Sequence, residues 1–212
     1  PSPTGPLHLG HAYSAILAHD MARTAGGRFL LRMEDTDLER SRPEYEAQIV
    51  EDLTWLGLTW DGPVHRQSEH IARYNERLEP LAARRLLYPC SCTRSDIRAA
   101  LAAPQEGVAH NVYPGTCRGR EMQTRLPGDA LRLDLAAALA QLDPMELVFT
   151  ETGPAHAGLH RVEAETALRD IGDVVLSRKG EDIVAYFLAS AFDDADQGIS
   201  HVIRGEDLFA FT

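Results

Sequence analysis

Residues 1–20 read "PSPTGPLHLGHAYSAILAHD", and the reading of this stretch decides the fold. Prolines, Gly5, Gly10, His8 and His11 crowd in ahead of a helical pattern. Ala15, Ile16, Ala18, His19 and Ala22 then recur at helical spacing, which predicts a helix over 12–25 stopped by Gly26-Gly27. The next segment, "RFLLRMED" (28–35), reads as a short, mostly apolar strand ending in acid. A second helix is predicted over 43–56, with Ile49, Leu53 and Leu56 on one face and Gly57 behind it. Ser68 looks like the N-cap of a third, running to about Leu87 through Ile71, Tyr74, Leu78 and Leu81. Strand, helix and strand in this order predict an α/β fold around a parallel sheet.

The character changes at Tyr88. The segment 88–120 is loop-rich, bears cysteine, and shows one short helix at 95–102, so it reads as an insertion. "ALRLDL" (130–135) resumes strand-like alternation, whereas 144–168 shows no clear period. "DVVLSRKGEDIVAYFLASAFDD" (173–194) reads as a hairpin turning at Lys179-Gly180, and "GISHVIRGEDL" (198–208) as a final strand running into a charged loop. The expected organisation is a nucleotide-binding half at 1–87, the insertion at 88–125, and the rest of the insertion with the second half of the catalytic domain at 126–212.

The chain has 212 residues, is 44% hydrophobic and carries a net charge of -11. That is enough apolar residue for one core, or one core with an inserted subdomain, and the charge disfavours indiscriminate nucleic-acid binding. No run is long enough to span a membrane. The three cysteines, Cys90, Cys92 and Cys117, form an odd set containing Cys-x-Cys. They read as a metal site or as reduced thiols of a cytoplasmic protein, not as a disulfide scaffold, although three inert buried cysteines would give the same count.

At the carboxyl end of a strand and the start of a helix, exposed amides favour a phosphate. Glycines there let the chain approach it, and histidines donate to its oxygens. A plain Pro/Gly turn with incidental histidines, or metal binding by His8 and His11, fits the same spacing.

The opening motif resembles the signature of the class I aminoacyl-tRNA synthetases in their glutamyl form, with His8, Leu9, Gly10 and His11 on the signature itself. The stretch 28–62 and "GISHVIRGEDL" resemble later blocks of the same family, in order. The resemblance implies a Rossmann-like catalytic domain with an inserted zinc-binding subdomain. It makes Gly5, His8, Gly10 and His11 the ATP-binding residues, with His8 and His11 catalytic. It makes Ser2, Glu34, Tyr186 and Arg204 the residues that bind L-glutamate, Glu34 taking the ammonium and Arg204 a carboxylate. From the residues alone, Glu34 could equally be a capping or salt-bridged acid and Arg204 a surface arginine. Asp35 and Asp37 read as solvated loop acids rather than a magnesium site. Cys90, Cys92, Tyr113 and Cys117 match the family's zinc ligands, with His110 the chemical alternative to Tyr113.

"LYPCSCTR", "YPGTCRG", "ALRLD", "GDVVLSRK" and "RGEDLFAFT" resemble a shorter branch of the family. That branch lacks the anticodon-binding domain and attaches glutamate to the queuosine base at the wobble position of tRNA(Asp). The resemblance thus implies ATP with magnesium as substrate, one structural zinc, and a monomer. The other reading within the family is the catalytic part of an ordinary glutamyl-tRNA synthetase charging tRNA(Glu). A nucleotidyltransferase of the same superfamily and a non-catalytic RNA-binding relative also stand. The family's arginine ahead of Pro1 and its second, lysine-bearing signature are expected outside this stretch, as if the chain were part of a longer protein. Phe187 stands where relatives carry Asn or His.

Overall fold

The fold is described from a computed structural model, for residues 1–101, 112–142, 147–178, 184–206 and Phe209. The chain divides into two compact units, Pro1–Tyr74 with Tyr186–Thr212, and Asn75–Ala185. The cysteine-bearing insertion lies inside the second unit, which extends well past 88–125 on both sides.

In the first unit, α1 (Leu9–Thr24) begins three residues earlier than its apolar pattern suggested. His8 supplies the cap, so the first turn already contains Gly10 and His11. The helix ends where expected: Ala25 is its C-cap and Gly26 takes φ +64°, a conformation natural to glycine. The apolar segment after it forms only a two-residue strand, β1 (Arg32–Met33), paired in parallel with β2 (His65–Arg66). Around that ladder the extended chain is held by loop backbone. Asp61 N–H donates to the Phe29 carbonyl, and Glu34 N–H to the Pro1 carbonyl. Between the strands, α2 (Pro43–Trp55) buries Ile49 and Leu53, as its spacing predicted. They pack with Leu31, Met33 and Leu58 into the core of this unit.

The single helix expected from Ser68 is three pieces. A 3₁₀ turn (Gln67–His70) runs into α3 (Ile71–Glu76), and α4 (Leu78–Ala83) follows. Pro80 explains the break: it offers no N–H to the carbonyl of Glu76, four residues back, and its ring crowds that carbonyl. Ser68 is not an N-cap; it lies inside the 3₁₀ turn. The hairpin expected over 173–194 is half right. Its turn at Lys179-Gly180 lies outside the described residues. β7 (Val175–Ser177) does meet Val184 in an antiparallel bridge, but 186–197 is helix α8 (Tyr186–Gln197). Leu188, Ala189 and Asp193 are buried on one face of that helix. A short apolar run can alternate and recur every fourth residue at once, and here the alanine-rich composition favours the helix. No strand forms among the described residues of 198–208.

The second unit carries an antiparallel three-stranded sheet in the order β3 (Leu87–Cys90), β4 (Ala130–Leu133), β7. The expected strand in "ALRLDL" is β4, with Leu135 already opening α6 (Leu135–Gln141) behind an Asp134 cap. The expected short helix is α5 (Arg94–Leu101). The stretch without a period contains the hairpin β5 (Val148–Glu151) and β6 (Gly158–Arg161), followed by α7 (Ala164–Asp170). Among the described residues no helix is long and apolar enough to cross a membrane.

Candidate functional site

The histidine pair closes the N-terminus of α1 by a capping box made of imidazoles. His8 Nδ1 accepts the Gly10 N–H at 3.1 Å, and His11 Nδ1 accepts the His8 N–H at 3.2 Å. The rings lie 3.8 Å apart between centroids. Both Nδ1 atoms therefore work as acceptors, which assigns the proton of each neutral ring to Nε2. Burial first, then the neighbouring His8, lowers the pKa of His11 and favours that neutral form. Two Nε2–H donors thus stand at the positive end of a helix dipole. At Gly10 a Cβ would lie 3.1 Å from the His8 ring, close enough that the ring would have to shift. At Gly5 a Cβ would meet nothing within 4 Å.

A cleft of about 300 Å³ in the same unit is lined by His11, Arg32 and Glu34, and by Asp194, Gln197 and His201 from α8 and the segment after it. Glu34 leaves the end of β1. Its backbone is pinned by Pro1, and Ser2 donates its hydroxyl to the Glu34 carbonyl at 2.9 Å. The Glu34 carboxylate faces Arg32 at 3.9 Å. Arg32 is anchored by Asp194 at 2.7 Å, with Asp193 at 4.0 Å and Gln197 at 3.4 Å. Burial opposes its charge, but the hydrogen bond and charge of Asp194, with Glu34 and Asp193, outweigh burial and raise its pKa.

His11 and Glu34 therefore share one cleft, while Tyr186 and Arg204 are absent from its lining. Tyr186 is the first residue of α8, not part of a strand, and packs edge-on against Phe187. Arg204 follows Ile203, which does line the cleft, and among the described residues it makes no ion pair. Asp35 is a correction. It is buried, and it accepts both the N–H and the hydroxyl of Ser68, tying the start of the 3₁₀ turn to the end of β1. Asp37 accepts the Arg40 N–H in a local turn.

Sequence reading missed Arg32, Asp194 and Gln197. Arg32 had a signal, since it lies two residues before Glu34 in an extended segment and so on the same side. Asp194 had none, because its partner is over 160 residues away.

In the second unit, the sulfurs of Cys90, Cys92 and Cys117 all lie within 4.8 Å of one another. The Tyr113 oxygen stands 3.4 Å from Cys90 Sγ and 3.5 Å from Cys92 Sγ, and Cys92 Sγ is 3.5 Å from Cys117 Sγ. A tetrahedral zinc with bonds of about 2.3 Å to sulfur and about 2.0 Å to oxygen has edges of roughly 3.5–3.8 Å. The three separations of 3.4–3.5 Å lie close to those edges, and the cluster could hold such an ion. His110 lies outside the described residues. Tyr113 also accepts the Cys117 N–H at 2.9 Å, which fixes its oxygen toward the sulfurs. Burial pushes the Tyr113 and Cys92 hydroxyl and thiol up. For Cys117 burial acts the same way, but hydrogen bonds from Tyr113, the Ser91 N–H and the other two cysteines win and bring it to about 7.

Residues 1–125 match the family model described as tRNA synthetases class I (E and Q), catalytic domain. A glutamyl-Q tRNA(Asp) synthetase of Rhodobacter capsulatus is 56% identical over the whole of this chain, which covers 77% of that relative. Proteins of the same name from Nitratidesulfovibrio vulgaris and Rhodopirellula baltica are 39% and 38% identical. Of these the chain covers 65% and 64%, just under two thirds of their length. Among solved structures, a glutamate tRNA ligase of Elizabethkingia meningosepticum in complex with its amino acid matches with a TM-score of 0.71 at 30% identity. The match covers 99% of this chain and 43% of that one.

Proposed function

Because the chain belongs to the glutamyl-Q tRNA(Asp) synthetases, a branch of the class I tRNA synthetases of the E and Q group, we propose that it activates L-glutamate with ATP and transfers it to the queuosine base of tRNA(Asp). One structural observation carries the reading: His11, at a helix N-terminus, and Glu34, at a strand end, line the same small cleft. A donor to phosphoryl oxygens and an acceptor for an ammonium there serve one bound pair of substrates.

In the proposed reaction the α-carboxylate of glutamate attacks the α-phosphorus of ATP and pyrophosphate leaves, with no covalent enzyme intermediate. The magnesium that accompanies ATP supplies charge neutralisation along the phosphates. The protein contributes positioning and fixed dipoles. The Nε2–H groups of His8 and His11, at the positive end of the α1 dipole, receive the charge on the transferring phosphoryl group. Gly5 and Gly10 let the nucleotide come close. Glu34 takes the glutamate ammonium, held in place by Ser2 and Arg32. Tyr186 and Arg204, carried over from the family pattern, hydrogen-bond the substrate and pair with a carboxylate. The activated acyl group then passes to a cyclopentenediol hydroxyl of queuosine. Such chemistry needs the base out of its stack, which an anticodon loop permits at low cost.

On the same reading Cys90, Cys92, Tyr113 and Cys117 hold one zinc. It closes the site with four protein donors and so supplies folding energy rather than chemistry. The protein works as a monomer in the cytoplasm. The ordinary glutamyl-tRNA synthetase is the weaker alternative, because the solved glutamate ligases are 30% and 29% identical against 56% for the relative from Rhodobacter capsulatus.

The test is transfer of labelled glutamate by the gene product to tRNA(Asp) with and without queuosine, beside tRNA(Glu). The expected result is transfer only to queuosine-bearing tRNA(Asp), with glutamate-dependent pyrophosphate exchange in the absence of tRNA. Charging of tRNA(Glu) alone, with no exchange until that tRNA is added, overturns it.

A further inference from the structure

Arg132, in the middle strand β4, is only 8% exposed and stands against the cysteine cluster. Its Nε donates to Cys90 Sγ at 3.4 Å and its Nη1 to the Asp173 carbonyl at 2.7 Å. Its guanidinium carbon lies 3.7 Å from the centre of the Tyr113 ring. One side chain thus touches two of the four candidate donors and a backbone group behind them.

Two other arginines near the cluster have carboxylate partners. Arg118 pairs with Asp173 at 2.8 Å, and Arg120 with Asp129 at 3.0 Å. The Asp173 carboxylate is further claimed by the Tyr88 hydroxyl at 2.5 Å and the Leu135 N–H at 3.0 Å. Among the described residues no carboxylate lies within ion-pair distance of Arg132. A buried guanidinium without a counter-charge is strongly unfavourable. The adjacent group able to answer it is sulfur. Three thiolates around a divalent cation, with a neutral phenol as fourth donor, carry one net negative charge. One guanidinium balances it.

We propose that Arg132 is the counter-charge and positioning residue of a thiolate metal centre. It holds Cys90 as an anionic donor and, by stacking on Tyr113, keeps the phenol oxygen turned to the three sulfurs. The arrangement is the sulfur counterpart of the outer hydrogen bonds that orient metal-bound imidazoles. The proposal rests on the metal reading above.

The test exchanges cobalt(II) into the full protein and its Arg132→Met and Arg132→Lys variants. Affinity is read by chelator competition, and the sulfur environment by the sulfur-to-cobalt charge-transfer band. Arg132→Met is expected to weaken binding ~10–100-fold and to move the band to longer wavelength, because Cys90 loses its N–H donor. Arg132→Lys keeps the charge and is expected to recover part of the affinity with the band still displaced. Unchanged affinity with an unshifted band in Arg132→Met overturns the proposal. Where that variant does not fold, by far-ultraviolet circular dichroism, an unshifted band in Arg132→Lys overturns it. A wild-type protein with no thiolate–cobalt band overturns the metal reading and this proposal together. A wild-type band with unaffected variants overturns this proposal alone.

Discussion

The cysteine cluster draws its donors from residues 90–117, whereas the cleft of the first unit takes its lining from 1–53 and again from 194–203. Behind the cluster stands a buried layer in which Arg132, Asp173 and Tyr88 are hydrogen-bonded. The helix that opens the cleft buries none of its residues, and Leu9 is 85% exposed. Each unit also owns a buried aspartate that collects a tyrosine hydroxyl. Asp173 has a guanidinium at 2.8 Å, while Asp193 takes Tyr74, Gln67 and His65 and has its nearest guanidinium at 4.0 Å. The contrast teaches that one site is made by one stretch of chain on a buried support, and the other by long-range docking around an open volume. Loss of a donor should therefore unfold the first kind and merely disable the second.

Cys117→Ser tests that contrast at its strongest. It should remove the metal and destabilise the second unit by on the order of 5 kcal/mol or more, read by metal content and thermal unfolding. Retention of one metal per chain with an unchanged melt would break the comparison. In the cleft, Glu34→Gln should raise the KM for glutamate ~30–100-fold, equivalent to about 2–3 kcal/mol, while leaving the melting temperature unaltered. A protein that melts early instead would make Glu34 a structural acid.

The two buried aspartates sharpen the comparison further. Asp173→Asn leaves Arg118 without its carboxylate and should cost about 3 kcal/mol in urea unfolding. Asp193→Asn keeps an acceptor for only one of Tyr74 and Gln67, which donate to different carboxylate oxygens, and should cost about 1–2 kcal/mol. Equal costs would mean that Arg32, 4.0 Å from Asp193, acts as a full partner.

A smaller effect is expected from pH. The lowered pKa of His11 means that the folded chain binds this proton less readily than the unfolded one, whose histidine titrates near about 6.5. Its contribution is complete above that pH and is lost as pH falls through the lower folded value. His11→Asn should flatten this acid limb of the stability profile of the first unit, and an unchanged limb would reject the imidazole cap. The smallest change expected is Arg85→Gly. Arg85 takes φ +58° just after α4, so glycine should gain about 1 kcal/mol in the second unit by denaturant unfolding.

Much of this was legible along the chain. The end of α1 at Gly26 and the face of α2 depend on residues a few places apart, and the candidate donors of the cluster all come from residues 90–117. The imidazole capping box was not foreseen, because His8 is an uncommon cap and the apolar pattern starts only later. The break between α3 and α4 was legible in Pro80 and went unread. The helix in place of a second hairpin strand was ambiguous in principle, since an alanine-rich apolar run satisfies both periods.

By itself the sequence determined the chemistry available: two histidines and glycines at a helix start, a cysteine cluster, an acid at a strand end, and the resemblance that orders them. Only the tertiary structure decided that Arg32 belongs with Asp194 and Gln197, that Asp35 is buried under Ser68 rather than solvated, and that Arg132 faces sulfur with no carboxylate partner among the described residues. Hydrogen bonds and ion pairs form between groups a few ångströms apart in space. Over 160 residues of separation, only the docking of folded elements sets that distance.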